Sequence, residues 1–336
     1  MKLSYRNKLL FSKLLRYLLI IIGLVAVVVI VMIIYFSPNV VYDREGAHRT
    51  SVRIPQASTA PQERPLPDTS DLEIVYQQDA PLAASIQELG GYYISTAMLQ
   101  DPQKVLTAVQ AIEEPCAVML DVKSIWGNFY YSSGVNGAQR ADVDISAIDQ
   151  LISYLDTQGF YMIASVPAFS DPVFALEHQS SGLPISGGAL WMDENGCYWL
   201  DPADEEVMTY LMQIARDLAG KGFSEIAFSG FVFPDSENIV YESSKTKAEI
   251  IQEAAAQLTN LFTGSETMIS FVSERTDFPA DACTGRLYIP DVSGGQVDLY
   301  IQSYRTAQTL SELVFLSSSS DTRFEGQSVL RPLMAE

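Results

Sequence analysis

Apolar positions along this chain fall into two regimes. From Tyr17 to Phe36 they are continuous, a run of twenty residues built of Leu, Ile, Val, Ala, Met, Gly and aromatics without a single charge. At about 1.5 Å per residue such a run spans the roughly 30 Å hydrocarbon core of a bilayer, which predicts a transmembrane helix. From about residue 84 onward the apolar runs are short and alternate with helical periods. Tyr92 to Ser95, Ala117 to Val122, Tyr161 to Val166, Glu225 to Phe231 and Thr267 to Val272 read as buried strands. Asp101-Pro102 is an N-cap followed by proline at the first helical position, with Val105, Leu106, Val109 and Ile112 on one face behind it. Asp144 caps a second helix with Ile145, Ile148, Leu151, Ile152 and Leu155 inward and Gly159 at its end. A third starts at Asp204, with Glu205 and Glu206 where they suit the dipole, and a fourth covers Ala248 to Phe262.

Past Val272 the alternation weakens. Asp298 to Gln302, Leu313 to Leu316 and Val329 to Leu333 are expected as strands six to eight, with short or missing helices between them. Repeated strand–helix units predict a parallel sheet, and about eight of them predict an α/β fold, a TIM-like (β/α)8 barrel with an irregular second half. An open doubly wound sheet is the alternative.

The flanks set the organisation. Residues 1–16 hold Lys2, Arg6, Lys8, Lys13 and Arg16 and no acid, so the positive-inside rule keeps this tail in the cytoplasm. The apolar run at 17–36 is longer than a signal peptide's and no small-x-small site follows it, which predicts an uncleaved single-pass anchor in the cell membrane. Residues 37–83 carry Pro38, Pro55, Pro61, Pro65, Pro67 and Pro81 among polar neighbours and predict an extended stalk. Residues 84–336 then form one barrel domain on the outer face of the membrane.

Charge narrows the partners. The whole chain carries −20, and since the five basic residues ahead of the anchor stand alone, the remainder carries −25. That potential repels polyphosphate backbones, so nucleic acid is excluded as a partner. Three cysteines, Cys116, Cys197 and Cys283, and two histidines, His48 and His178, show no ligand spacing, so neither a metal site nor a cofactor is expected. No P-loop, dinucleotide fingerprint, nucleophile elbow or H-E-x-x-H occurs.

Several separated segments share an order with a known pattern. They are Leu120-Asp121-Val122-Lys123 followed by Gly127 and Tyr130-Tyr131-Ser132, then Met162 through Pro172, then Trp191, Asp193, Gly196, Trp199, Asp201 and Pro202, and last Gly222 through Pro234. This series resembles the D-V-K, I-A-R-I…F-x-D-P, W-x-D…W-x-D-P and G-F-D-E-I-Q-F-D-Y-V-R-F-P segments of a bacterial family of exported, glycoside-hydrolase-like barrel proteins. The resemblance implies a saccharide site at the C-terminal ends of the strands. It also exposes departures: Ser229 stands where the family has Asp, Val232 and Ser165 where it has Arg, and Ser124 where it has an acid.

Asp121, with Glu274 past strand five, is the candidate catalytic pair, because glycosidases use two carboxyls about 5 Å apart for retention or roughly 6.5–9.5 Å apart for inversion. Alternation along a strand puts Lys123 on the side of Asp121, as an ion pair that is either structural or catalytic. Trp126, Tyr131, Trp191 and Trp199 supply flat rings for a sugar platform, and Lys123, Asp193 and Ser229 complete the candidate binding set. Three functions compete: a glycan-binding barrel that has lost its catalytic carboxylate, a working hydrolase of cell-wall or extracellular polysaccharide, and an envelope scaffold for a protein partner that the sequence does not specify. Protease added to intact, wall-stripped cells is expected to digest the chain beyond Ser37 and spare residues 1–36, whereas a protected large domain would reverse the orientation.

Overall fold

The computed structural model describes residues 89–279, 285–304 and 313–334, and the backbone of residues 40–43 and 46–49. The chain divides into two compact units, Met1–Gln78 and Asp79–Glu336. In the first, Val40–Asp43 pairs antiparallel with Gly46–Arg49, a short hairpin inside the segment expected as stalk. The expected membrane helix at 17–36 and most of the stalk lie outside the described residues. Among the described residues no helix is long and apolar enough to cross a membrane.

The second unit is a closed barrel of eight parallel strands that neighbour one another in chain order. They are β1 (Gly90–Ile94), β2 (Ala117–Asp121), β3 (Tyr161–Pro167), β4 (Glu225–Ser229), β5 (Met268–Val272), β6 (Leu287–Ile289), β7 (Leu313–Leu316) and β8 (Ser328–Pro332). Pairing of Val329 with Gly90 closes the ring. Gly91 permits the approach of β1 to β2, since a Cβ there would sit 1.9 Å from the Ala117 carbonyl oxygen. The helices are α1 (Pro102–Gln110), α2 (Ile145–Thr157), α3 (Pro172–Glu177), α4 (Glu205–Ala219), α5 (Lys247–Leu261) and α6 (Val297–Tyr304). Asp101, Asp144, Asp171, Asp204 and Thr246 cap the first five, each side chain accepting from backbone N–H groups of the opening turn.

One expected element is overturned. Asp298 to Gln302 belongs to helix α6, and strand six is Leu287–Ile289. The alternation that suggested a strand is incidental, because Val297, Tyr300 and Tyr304 are buried at helical spacing while Leu299 is exposed. The true strand is only three residues long and ends at Ile289, ahead of Pro290, too short to leave a period in the sequence.

Alternation within the strands builds two cores. On β3, Met162, Ala164 and Val166 pack outward against the helices, whereas Ile163 joins Met119, Ala227, Tyr288, Val314 and Leu330 inside the barrel. At the lumen's base, where β4 begins, lies a charge: Glu225 is wholly buried and takes Arg286 Nη1 at 2.6 Å. Tyr161 and Tyr288 donate their hydroxyls to the same carboxylate at 2.9 Å each, and Ser270 donates a short bond. Burial, then the charge of Glu225, push both tyrosine hydroxyls above their usual range, so they stay protonated donors. The whole cluster satisfies a carboxylate that apolar surroundings alone would not tolerate.

Removing one member of such a pair strands the other. Arg286→Met is expected to lower unfolding stability by about 3–5 kcal/mol in urea titrations, and an unchanged midpoint would show that Glu225 does not need its cation.

Candidate functional site

The C-terminal ends of the strands surround an open cavity of about 740 Å³. Tyr93, Asp121, Ser165, Ser229, Val272 and Leu316 face it from the strand ends. Except on β3, where Pro167 follows Ser165 in the same alternation, these are the last inward positions before the loops. Asp121 lies in register with Ser165, and Ser229 with Pro167, so Ser229 stands one inward position further along β3 than Ser165. Loop residues 230–235, Ser273, Glu274, Arg275, Pro290 and Asp291 complete the rim. Of the residues expected from sequence, Asp121, Glu274 and Ser229 therefore meet in one place. Three of the four departures from the family pattern, Ser165, Ser229 and Val232, also line this cavity.

The fourth departure does not. Ser124 is buried in the turn after β2, where its Oγ accepts from the N–H groups of Trp126 and Asn128 at 3.3 Å. Lys123 is corrected as well. Its Nζ lies 2.9 Å from Asp171 with both side chains fully buried, and it donates to the Pro167 carbonyl at 3.2 Å. β2 ends at Asp121, so strand alternation no longer governs where Lys123 points. Asp171 also accepts from Tyr210 OH at 2.8 Å and from Phe174 N, capping α3. Gly127 is obligatory beside it, with φ +83° and a hypothetical Cβ 2.2 Å from Asp171 Oδ1. Lys123 thus ties the loops after β2 and β3 to α4 and lies off the cavity wall.

The aromatic platform is dispersed. Tyr131 is fully buried and donates to Asp217 Oδ2 at 2.9 Å; burial above all raises its hydroxyl well beyond the usual range. Trp126 is exposed on the loop after β2, its ring over Gly196. Trp191 and Trp199 pack edge to face at 6.2 Å in the long excursion after α3, and Trp199 Nε1 donates to Asp193 Oδ2 at 3.0 Å. Asp193 accepts also from Asn195 N and Cys197 N, which makes it the residue that forms this turn. Trp191 lines a separate groove of about 520 Å³ with Met192, Tyr198, Asn238 and Val240.

Asp291, Asp235, Arg275 and Tyr93 were not singled out from the sequence, yet they line the cavity. The signal for Asp291 was its place two residues past a strand, invisible while β6 went unassigned. It is the one non-glycine residue with positive φ, +52°, among the described residues. Arg275 is clamped by Asp277 through bonds of 2.8 and 2.9 Å, and the guanidinium holds the Asp277 carboxyl below its usual range. The hydroxyls of Tyr300 and Tyr304 donate to the carbonyls of Glu274 and Arg275, anchoring this rim loop to α6. Among the described residues no group of three or more His, Cys, Asp or Glu side chains converges as a metal site would require, and Cys116 and Cys197 are free thiols, while Cys283 lies outside them.

Residues 91–274 match the sequence pattern of a family described as "Putative glycosyl hydrolase domain". No curated protein matches the chain by sequence. Among solved structures, a hypothetical protein of Ruminiclostridium thermocellum is 24% identical, with a TM-score of 0.45, over 54% of this chain and 96% of its own. The α-galactosidase of Lactobacillus brevis has a TM-score of 0.50 at 12% identity, over 73% of this chain and 37% of its own. An inactive mutant of an exo-β-N-acetylglucosaminidase from Vibrio harveyi has 0.49 at 6% identity, over 72% and 49%. The chain spans less than half the length of these two glycosidases, and the likeness is one of fold.

The placement of Lys123 makes a distinct expectation. Lys123→Met leaves Asp171 charged and buried without its cation, so unfolding stability is expected to fall by about 3–5 kcal/mol in denaturant titrations. A variant of unaltered stability would show that the pair does not hold these loops together.

Proposed function

Because this chain belongs to that family of glycosyl hydrolase domains, matched over residues 91–274, we propose that it is a membrane-anchored, extracytoplasmic saccharide-binding barrel that has lost hydrolysis. The observation that carries the proposal is the composition of one cavity. Ser165, Ser229 and Val232 line it together with Asp121, and in the family pattern these three positions carry Arg, Asp and Arg. A serine hydroxyl at the end of β4 supplies neither the proton nor the nucleophile that an aspartate there would. Loss of a positioned acid is worth on the order of a hundred- to ten-thousandfold in rate. What remains suits binding: an open bowl with carboxylate and hydroxyl acceptors and the ring of Tyr93 on its wall.

The membrane part of the proposal rests on sequence. The uncharged run at 17–36, with five basic residues before it, supports an anchor with a cytoplasmic N-terminus, and the Pro-rich residues 37–83 support a spacer between bilayer and barrel. One observation favours a second reading, a working hydrolase: Asp121 on β2 and Glu274 past β5 line the same cavity. A glycosidase needs two carboxyls flanking the scissile bond, and these two, one at the end of β2 and one in the loop after β5, are the pair that the bowl offers for it.

Assays on the full chain, held in a detergent that is not itself a glycoside, separate the two. The protein is expected to release no reducing ends from cell-wall or exopolysaccharide preparations, and Ser229→Asp with Val232→Arg is expected to restore measurable turnover. Robust cleavage by the unmodified protein, abolished by Asp121→Asn, would sink the binding proposal in favour of the hydrolase.

A further inference from the structure

The groove of about 520 Å³ beside the bowl takes Trp191, Met192 and Tyr198 from the excursion after α3 and Glu237, Asn238 and Val240 from the loop after β4. Elsewhere in these loops, ring-borne donors are used inside the protein: Tyr131 on Asp217, Tyr210 on Asp171, Tyr241 on Asp201 and Trp199 on Asp193. Among the described residues, Trp191 Nε1, the Tyr198 hydroxyl and the Asn238 side-chain amide make no such bond. Beside them Met192 is 53% and Val240 49% exposed. Rings with an apolar body and an open polar tip, set among exposed apolar side chains, mark a binding surface.

The groove is braced and joined to the bowl. Trp191 stands edge to face on Trp199, which Asp193 holds in turn, so its ring is positioned before anything binds. Ile185 bridges Ile239, and Val240 N donates to the Pro184 carbonyl at 2.9 Å, which makes one surface of the two loops. Phe233 packs edge to face on Tyr241 at 4.8 Å and steadies the stretch between them. That stretch runs out of the bowl: Asp235 lines the bowl and Glu237 the groove, two residues and so at most about 7 Å of chain apart.

We propose that this groove is a second saccharide subsite, which holds the continuation of a linear, uncharged polysaccharide whose neighbouring units lie in the bowl. This rests on the saccharide-binding reading above and extends recognition from one site to several sugar units. The flat rings of Trp191 and Tyr198 stack on the apolar faces of pyranoses at little cost in side-chain freedom, while Asn238 and Glu237 bond the hydroxyls at their edges. A β-1,4-linked chain is extended and presents ring faces along its whole length, which suits two concavities separated by so short a stretch of loop. Glu237 in the groove and the −20 charge of the chain repel an anionic polymer.

Calorimetry on the full chain, in a detergent that is not itself a glycoside, compares the di- and hexasaccharides of β-1,4-linked glucose and of β-1,4-linked N-acetylglucosamine. In at least one series the hexamer is expected to bind about tenfold tighter than the dimer, and Trp191→Ala to remove most of that ratio. Trp191 is partly buried, so Val240→Arg serves as the second variant: it blocks the groove from an exposed position, and is expected to cut the ratio about as far with an unchanged melting temperature. A ratio near one in the unmodified protein, or one that survives Val240→Arg, overturns the groove subsite and leaves saccharide binding by the bowl standing. Sedimentation of the full chain as a dimer that Val240→Arg dissociates would assign the groove to a second copy and overturn the subsite as well. If no oligosaccharide binds, both readings fail.

Discussion

Closing eight parallel strands into a ring sends every second side chain of each strand into an enclosed space, and that space has to be filled. Here its middle is apolar, with Met119, Ile163, Ala227 and Val314, but its base holds Glu225. A carboxylate at that depth is tolerable only because Arg286, Tyr161, Tyr288 and Ser270 converge on it from β3, β5 and β6 and the residue ahead of β6. The polar plug therefore couples strands from both halves of the barrel. With the base closed in this way, the inward positions that meet solvent are those at the other end.

Much of this architecture was legible in the chain. The first five strands and helices α1, α2, α4 and α5 announced themselves because the strands are mostly apolar and these helices carry apolar faces at helical spacing, whereas the six-residue α3 is too short to show one. The later part was less legible for a physical reason: Leu287–Ile289 is too short to show a period, and Val297–Tyr304 mimics strand alternation over its first residues. The carboxylates followed the same rule. Asp121 and Glu274 were found because β2 and β5 were found, and Asp291 was missed because β6 was.

Side-chain roles were harder to read than positions. Lys123, Tyr131, Asp193 and Trp199 have the chemistry of ligand contacts, and each is engaged inside the protein: with Asp171, with Asp217, with a turn, and with Asp193 in its place. Sequence spacing places residues on loops but does not say which loop residues turn inward. The loops after β2 and β3 are long, and the polar groups inside them serve first to satisfy one another. A family motif in such loops is thus as much a folding instruction as a functional one.

The two tyrosine hydroxyls of α6 have a mechanical consequence. They grip consecutive carbonyls, those of Glu274 and Arg275, so the rim loop is fastened to the helix at two adjacent points. The outer flank of that helix presents Leu299 to solvent. A partner seated on that flank would bear on the rim through those two hydroxyls, without contact with anything inside the bowl.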